Sequence, residues 1–367
     1  MPGATAAREL IVGRALEYLG KLSREAAGDR ALQLELAEAY LKIGDVQGKP
    51  YTANLGDAAG AARSYATAAE IVAPLAAHES GPAKTQARSS AARAYVALAA
   101  VQARLSQFDD AVRNNERALA IGERLLADDP SRPDEWRRLV ASCHLGIGDA
   151  IQAGNHQRRD PELHRASLDH YQRALGLAEQ VVAAQPDSLP DWRQLAKACS
   201  RAAIIAELGL HTGEAKFFEQ AIALHARSVA LRRAVLARDP ANAQDRRTLA
   251  DALIMKSSAH SMAARDLSTA LAECEEAVAM QSELAATDPA NAEAQQDLSY
   301  GHYTTGQVCQ LLGDLERAAT HYRHSLDILG PLIAARPNNV ETTFDRERAQ
   351  QRLKEIEAAQ RNAPAEP

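Results

Sequence analysis

Bulky rings are scarce in this sequence. Aromatic residues make up 4% of its 367 positions, with two Trp and four Phe. A single large globular core of this length would use more of them, whereas helices packed closely through small side chains do not need them. Cysteine is scarce too. Cys143, Cys199, Cys274 and Cys309 lie far apart and form no C-x-x-C pair, which argues against a disulfide framework and a zinc ribbon. Long apolar runs are missing. The longest, Ala94 to Val101, is eight residues, too short to cross a bilayer. No basic stretch leads into an apolar one near residue 1, so no signal peptide is expected. A basic excess is missing as well: 42 basic residues face 48 acidic ones, a net charge of −6, which argues against nucleic acid as the main partner.

What the chain does have is a spaced echo. A small residue, a larger or polar one four on, and a small one seven on recur six times. The sets are Ala61/Tyr65/Ala68, Ala111/Asn115/Ala118, Ser167/Tyr171/Ala174, Ala221/His225/Ser228, Ala270/Cys274/Ala277 and Ala318/Tyr322/Ser325. Their first members are separated by 50, 56, 54, 49 and 48 residues. A period of this size means stacked supersecondary units. Prolines keep the same beat. Pro82, Pro130, Pro186, Pro240, Pro289 and Pro337 mark unit boundaries, and Asp-Pro-Ala-Asn occurs twice, at 239–242 and 288–291. Proline cannot donate the next helical hydrogen bond and disfavours a helical residue before it, so each marks a helix stop and a turn.

Between prolines the pattern reads as two amphipathic helices, A then B, of about 20 residues each. In the last unit helix A runs from Glu293 to Leu312, Gly313-Asp314 turns the chain, and helix B runs from Leu315 to Ala335. Positions seven apart on helix B share a face, so the small residues let helix A approach while the larger one fills the groove between. The expected architecture is all-α, with about 14 helices stacked as an α-solenoid in a right-handed superhelix. Residues 1–361 form one array: an orphan helix B over 1–28, six hairpins over 29–340 and a charged capping helix over 341–361. Residues 362–367 read as a disordered tail. Two loops exceed the template, Gly48 to Asp57 and Asn155 to His164.

No catalytic constellation stands out. There is no G-x-S-x-G, no Ser-His-Asp set and no paired carboxylates. Gly146-Ile-Gly148 lacks the third glycine of a nucleotide loop and sits on a helical pattern. His302, His321, His324 and Cys309 share the last unit, but no carboxylate or second Cys pair supports a metal cluster. No cofactor is expected. Trp136 and Trp192, six residues after their prolines, read as packing between adjacent units near the start of helix A, with exposed anchors for a ligand as the alternative. Cys143 and Cys199 read as small core residues.

Gly306, Gly313, Ala318, Tyr322, Ser325 and Leu326 together resemble the tetratricopeptide repeat (TPR): a small residue on helix A, Gly at the turn, then A-x3-Y-x2-S-L on helix B. The usual period is about 34, and the longer period here puts extra residues at helix ends and in the two insertions. A second resemblance runs through Ala31 to Gly48, Asn54 to Asp57 and Ala61 to Tyr65. This stretch is similar to the region after the catalytic domain in bacterial, acidobacterial-type TPR-containing serine/threonine protein kinases. It implies a non-catalytic regulatory or docking region, since no G-x-G-x-x-G, His-Arg-Asp or Asp-Phe-Gly kinase motif is present. The alternative is a TPR scaffold in a transcriptional regulator or another assembly. In TPR arrays helices A line the peptide-binding groove. That places Arg137, Arg193 and Arg247, each seven residues after its proline, together with Lys197, on the binding face. A basic ladder there suits an acidic peptide or a C-terminal carboxylate. Local ion pairs to Asp134, Asp191 and Asp245 are the competing reading. The unpaired cysteines point to the cytoplasm, unless a membrane span precedes the array.

Overall fold

The computed structural model describes residues 4–26, 28–49, 55–78, 81–155, 158, 160–205, 214–289, 291–335 and 340–362. Among them are fourteen α-helices and no strand. The chain divides into two compact units, residues 1–187 and 188–367, at the boundary between the third and fourth hairpins.

The first unit holds α1 (Ala4–Glu25), α2 (Arg30–Gly48), α3 (Ala58–His78), α4 (Gly81–Arg104), α5 (Phe108–Asp128), α6 (Pro133–Asn155) and α7 (Pro161–Ala184). Each helix packs on the next, and α4 also touches α2 and α6. The hairpins are therefore α2/α3, α4/α5 and α6/α7, with helices A lying against one another. The second unit holds α8 (Leu189–Ala202), α9 (Ala215–Arg238), α10 (Ala243–Ala263), α11 (Leu267–Thr287), α12 (Ala292–Leu311), α13 (Leu315–Ala335) and α14 (Val340–Asn362). It repeats the plan: α8/α9, α10/α11 and α12/α13 pair, α10 touches α12, and α14 closes on α13. This is a stack of TPR-like helical hairpins. No described helix is long and apolar enough to cross a membrane.

The helix ends follow the sequence signals closely. In Asp239-Pro240-Ala241-Asn242 the Asp239 N–H donates to Val235 O, ending α9. Three residues on, the Asn242 side chain accepts from Asp245 N at 3.1 Å and caps α10. The second copy behaves alike: Asp288 ends α11, and Asn291 accepts from Glu293 N and Ala294 N at 3.1 and 3.2 Å. Each tetrapeptide is thus one helix's stop and the next one's N-cap. Gly313, with φ +84°, makes the α12–α13 turn in a conformation other residues rarely adopt. α8 departs from the expected length. It has 14 residues and gives way to a 3-10 turn at Ala203–Ile205. Parts of the two long loops (residues 50–54, 156, 157 and 159) and tail residues 363–367 lie outside the described residues.

All eighteen residues of the six-fold echo are buried, the most exposed being His225 at 8%. Their partners on helix A explain why. A Cβ on Gly148 would lie 2.5 Å from the Tyr171 ring, one on Gly44 2.5 Å from Tyr65, and one on Gly306 2.9 Å from Tyr322. Glycine is what lets helix A meet the ring edge-on without a gap. The ring's far end is then tied down. Tyr65 Oη donates to Asp45 at 2.8 Å, Tyr171 Oη to Asp149 at 2.9 Å and Tyr322 Oη to Gln310 at 3.0 Å. Gly146, the other glycine of the Gly-Ile-Gly fragment, faces Asn115 of α5, so the fragment is a packing surface of α6.

Gly148→Ala is expected to destabilise the protein by about 1–3 kcal/mol, because a tethered ring cannot move aside. Gly176→Ala, in the middle of α7 with nothing within 4 Å of the new Cβ, is expected to stabilise it by about 0.5–1 kcal/mol. Urea midpoints followed by far-UV circular dichroism check both, and the opposite signs separate packing from helix propensity.

Candidate peptide-binding face

The four cations picked out by register all lie on helices A. Arg137 is on α6 of the first unit; Arg193 and Lys197 on α8 and Arg247 on α10 belong to the second. Each arginine meets a carboxylate. Arg137 Nη1 donates to Asp134 Oδ1, one turn earlier on α6, at 2.9 Å. Arg193 reaches across to the next helix A and grips Asp245 with both Nε and Nη2, at 2.8 and 2.6 Å. Arg247 repeats that move onto α12, with Asp297 at 2.6 Å and Glu293 at 3.0 Å. Of the acidic residues expected as local partners, Asp134 serves its own helix. Asp245 serves Arg193 of the preceding helix A, 52 residues away. Asp297 carried no signal in the sequence except its place eight residues after Pro289.

The second unit thus staples successive helices A through bidentate or forked guanidinium–carboxylate contacts. The staples are well supported. Asp245 sits one turn inside the cap made by Asn242, with its side chain 7% exposed. Its hydrogen bond raises the Arg193 pKa, with burial pulling the other way. Burial works against the charge of Arg247, but the hydrogen bonds and charges of Asp297 and Glu293 outweigh it, so its pKa is raised as well. The arginine side chains stay partly open, at 30% for Arg137, 37% for Arg193 and 20% for Arg247. Lys197, one turn after Arg193, is exposed. Lys256, on the same class of helix, is committed inward, 2.6 Å from Glu273.

One turn after Arg247 on α10 lies a carboxylate held out of its usual range. Burial pushes Asp251 up to about 7; the nearby charge of Asp297 adds to this, while Arg247 and Arg232 oppose it. Arg232, half-buried, is pulled down by desolvation and donates from Nε to Ser228 Oγ at 3.2 Å.

Trp136 is covered and Trp192 is half-buried. Trp136 is 1% exposed beneath the guanidinium of Arg132, 4.6 Å from the ring centre, and Trp192 lies under Arg238 at 4.5 Å. All four cysteines are buried and none is in a disulfide. In the last hairpin His302 and His321 touch, His324 is exposed and Cys309 is in the core. Among the described residues no three His, Cys, Asp or Glu side chains converge as a metal cluster.

Asp251 gives a signed test. Its folded pKa is raised from 3.8 to about 7. Below about 3.8 both folded and unfolded chains hold the proton and the group carries no penalty. Between those values the folded chain binds the proton more tightly, so the group's contribution to stability falls as pH rises and is fully lost above about 7. Asp251→Asn is therefore expected to stabilise the protein at pH 8 by on the order of 1–3 kcal/mol and to change little near pH 4. Denaturation at the two pH values measures the difference.

No protein-family model matches the chain, and no curated protein matches it. Solved structures do. BtubC (BKLC) from P. vanneervenii is 17% identical with a TM-score of 0.51, covering 76% of this chain and 92% of that one. The apo form of RapI is 10% identical with a TM-score of 0.48, covering 87% and 99%. The TPR domain of P58(IPK) is 16% identical with a TM-score of 0.21, covering 94% and 98%. At such identities the likeness to BtubC is one of fold. Together with the glycine-to-tyrosine hairpins, it places the chain among TPR-like helical-repeat structures.

Proposed function

We propose that residues 1–361 serve as a protein- or peptide-binding module, and that its ligand is acidic. The observation that carries this reading is the bracing of Arg193 and Arg247 by Asp245 and by Asp297 with Glu293. A guanidinium has five N–H donors in a fixed fork. A carboxylate gripping one edge orients the group while donors on the others remain to meet a ligand. Ordering the side chain beforehand lowers the entropy cost of capture. Lys197 on α8 and Arg137 in the first unit add charge on the same class of helix. The net charge of −6 argues against nucleic acid as the main partner.

The wider role we infer is that of a non-catalytic regulatory or docking region of a bacterial serine/threonine protein kinase. It rests on the resemblance of residues 31–65. The lack of G-x-G-x-x-G, His-Arg-Asp and Asp-Phe-Gly motifs in the sequence supports the non-catalytic part of this reading.

Two measurements test these statements. A fluorescein-labelled deca-glutamate peptide is expected to bind the full chain in low salt, and a deca-lysine peptide is not. Lys197→Glu combined with Arg137→Glu, which leaves Arg193 and Arg247 and their carboxylates in place, is expected to weaken binding about tenfold. Equal binding of the two peptides, or no change in the double variant, removes the acidic-ligand reading. For the wider role, residues 1–367 are expected to transfer no phosphate from ATP to a generic protein substrate, while the product of the whole reading frame does. A DNA-binding domain in that frame would favour the regulator alternative.

A further inference from the structure

Two pairs of histidines recur at matching places, one pair in each unit. His144 stands four residues before Gly148 on α6, and His170 immediately precedes Tyr171 on α7. His302 stands four residues before Gly306 on α12, and His321 immediately precedes Tyr322 on α13. The glycine-to-tyrosine contacts set the helix spacing at both levels, so both pairs meet across their hairpins. Nδ1 of His144 lies 2.9 Å from Nδ1 of His170, and Nδ1 of His302 lies 3.0 Å from Nδ1 of His321. The first hairpin has the same Gly44–Tyr65 contact but carries Tyr40 and Ser64 at these two positions. Packing alone does not demand histidine there.

Burial disfavours the charged form of these rings. Burial, helped by His170 and Arg173, lowers His144 to about 4. Burial, helped by His321 and His324, lowers His302 to about 4. His170 and His321 are also lowered, chiefly by burial. His144 is 4% exposed, but its partner His170 and both rings of the other pair are partly open, which leaves a path in from solvent.

We propose that each pair is a two-imidazole clasp for a divalent first-row transition-metal cation, with Ni²⁺ and Cu²⁺ preferred over Zn²⁺. Metal–nitrogen bonds of about 2.0 Å set at right angles put two nitrogens about 2.8 Å apart, and a tetrahedral angle puts them about 3.3 Å apart. The observed 2.9 and 3.0 Å sit nearer the first, the square-planar or tetragonal arrangement. In the metal-free pair one Nδ1–H donates to the other Nδ1. On binding, that ring's proton moves to Nε2, both Nδ1 lone pairs face the cation, and water fills the remaining positions, with no net proton released. The surrounding charges limit affinity. Arg173 opposes the first clasp while Asp169 favours it, and Arg317 opposes the second. His324 distinguishes the two. Its exposed ring lies 5.1 Å from that of His302 and 6.3 Å from that of His321, and a rotation about its own side-chain bonds brings a third imidazole to the second clasp. The second clasp is the tighter one.

The test is calorimetric titration of the untagged full chain with NiCl₂, and separately ZnCl₂, at pH 7.5. Two Ni²⁺ sites per chain are expected, with dissociation constants on the order of micromolar and weaker Zn²⁺ binding. His144→Gln should remove one site and His302→Gln the other, while His324→Gln should weaken only the tighter one. Circular dichroism confirms folding of each variant. Cu²⁺ electron paramagnetic resonance on the wild-type chain needs no variant, and hyperfine structure from coordinated imidazole nitrogens is expected. No saturable Ni²⁺ binding up to about 100 µM, unchanged stoichiometry in the folded His144→Gln/His302→Gln double variant, or a Cu²⁺ spectrum with oxygen ligands alone overturns the proposal.

Discussion

The close approach of helix A to helix B within each hairpin is the constraint on which the rest depends. Where glycine on one helix faces a tyrosine edge on the other, the two backbones come near enough for alanines and serines to fill the interface completely. The chain then needs few large side chains, which is how it buries a core with so little aromatic content. The tyrosine hydroxyl turns each contact into a fixed register, because it must reach Asp45, Asp149 or Gln310 at the rim. A ring that is buried along its length and hydrogen-bonded at its tip cannot slide, so neither can the helices.

Between hairpins the currency changes from packing to charge. In the second unit, Arg193 to Asp245 and Arg247 to Asp297 and Glu293 tie successive helices A together. In the first, Arg93 of α4 reaches Glu38 of α2 in the same way, at 2.9 Å. Partly open ion pairs contribute modest stability, but they fix the orientation of guanidinium groups on a surface where a ligand is expected to lie. The same side chains can therefore hold the stack and present its charge. Clustering them has a cost, visible in Asp251, whose carboxylate is disfavoured by burial and by Asp297 while Arg247 and Arg232 compensate in part.

The histidine pairs rest on the same scaffold. They stand one turn before the glycine and one residue before the tyrosine, where helix spacing is already set by the hairpin contact. Preorganisation of this kind is what a two-ligand site requires, since two donors alone contribute too little to pull helices into place.

Much of the fold follows from local sequence. The six-fold echo carries the number of hairpins, their phase and the burial of all its members, because a small-large-small pattern at helical spacing has one way to pack. The Asp-Pro-Ala-Asn turns carry their own stop and cap, since every group involved lies within a few residues. The shortening of α8 was not legible, because it depends on how the following segment leaves the helix. Nor was the division at residues 187 and 188. The pairing of Arg193 with Asp245 rather than Asp191, the recruitment of Asp297, and the meeting of His144 with His170 were decided only in three dimensions. Each joins residues on different helices, 52, 50 and 26 positions apart. The sequence by itself determined the repeating unit and which residues each helix buries. Tertiary structure alone decided which charged and polar side chains meet across helices, because that depends on helix spacing and not on any one helix's pattern.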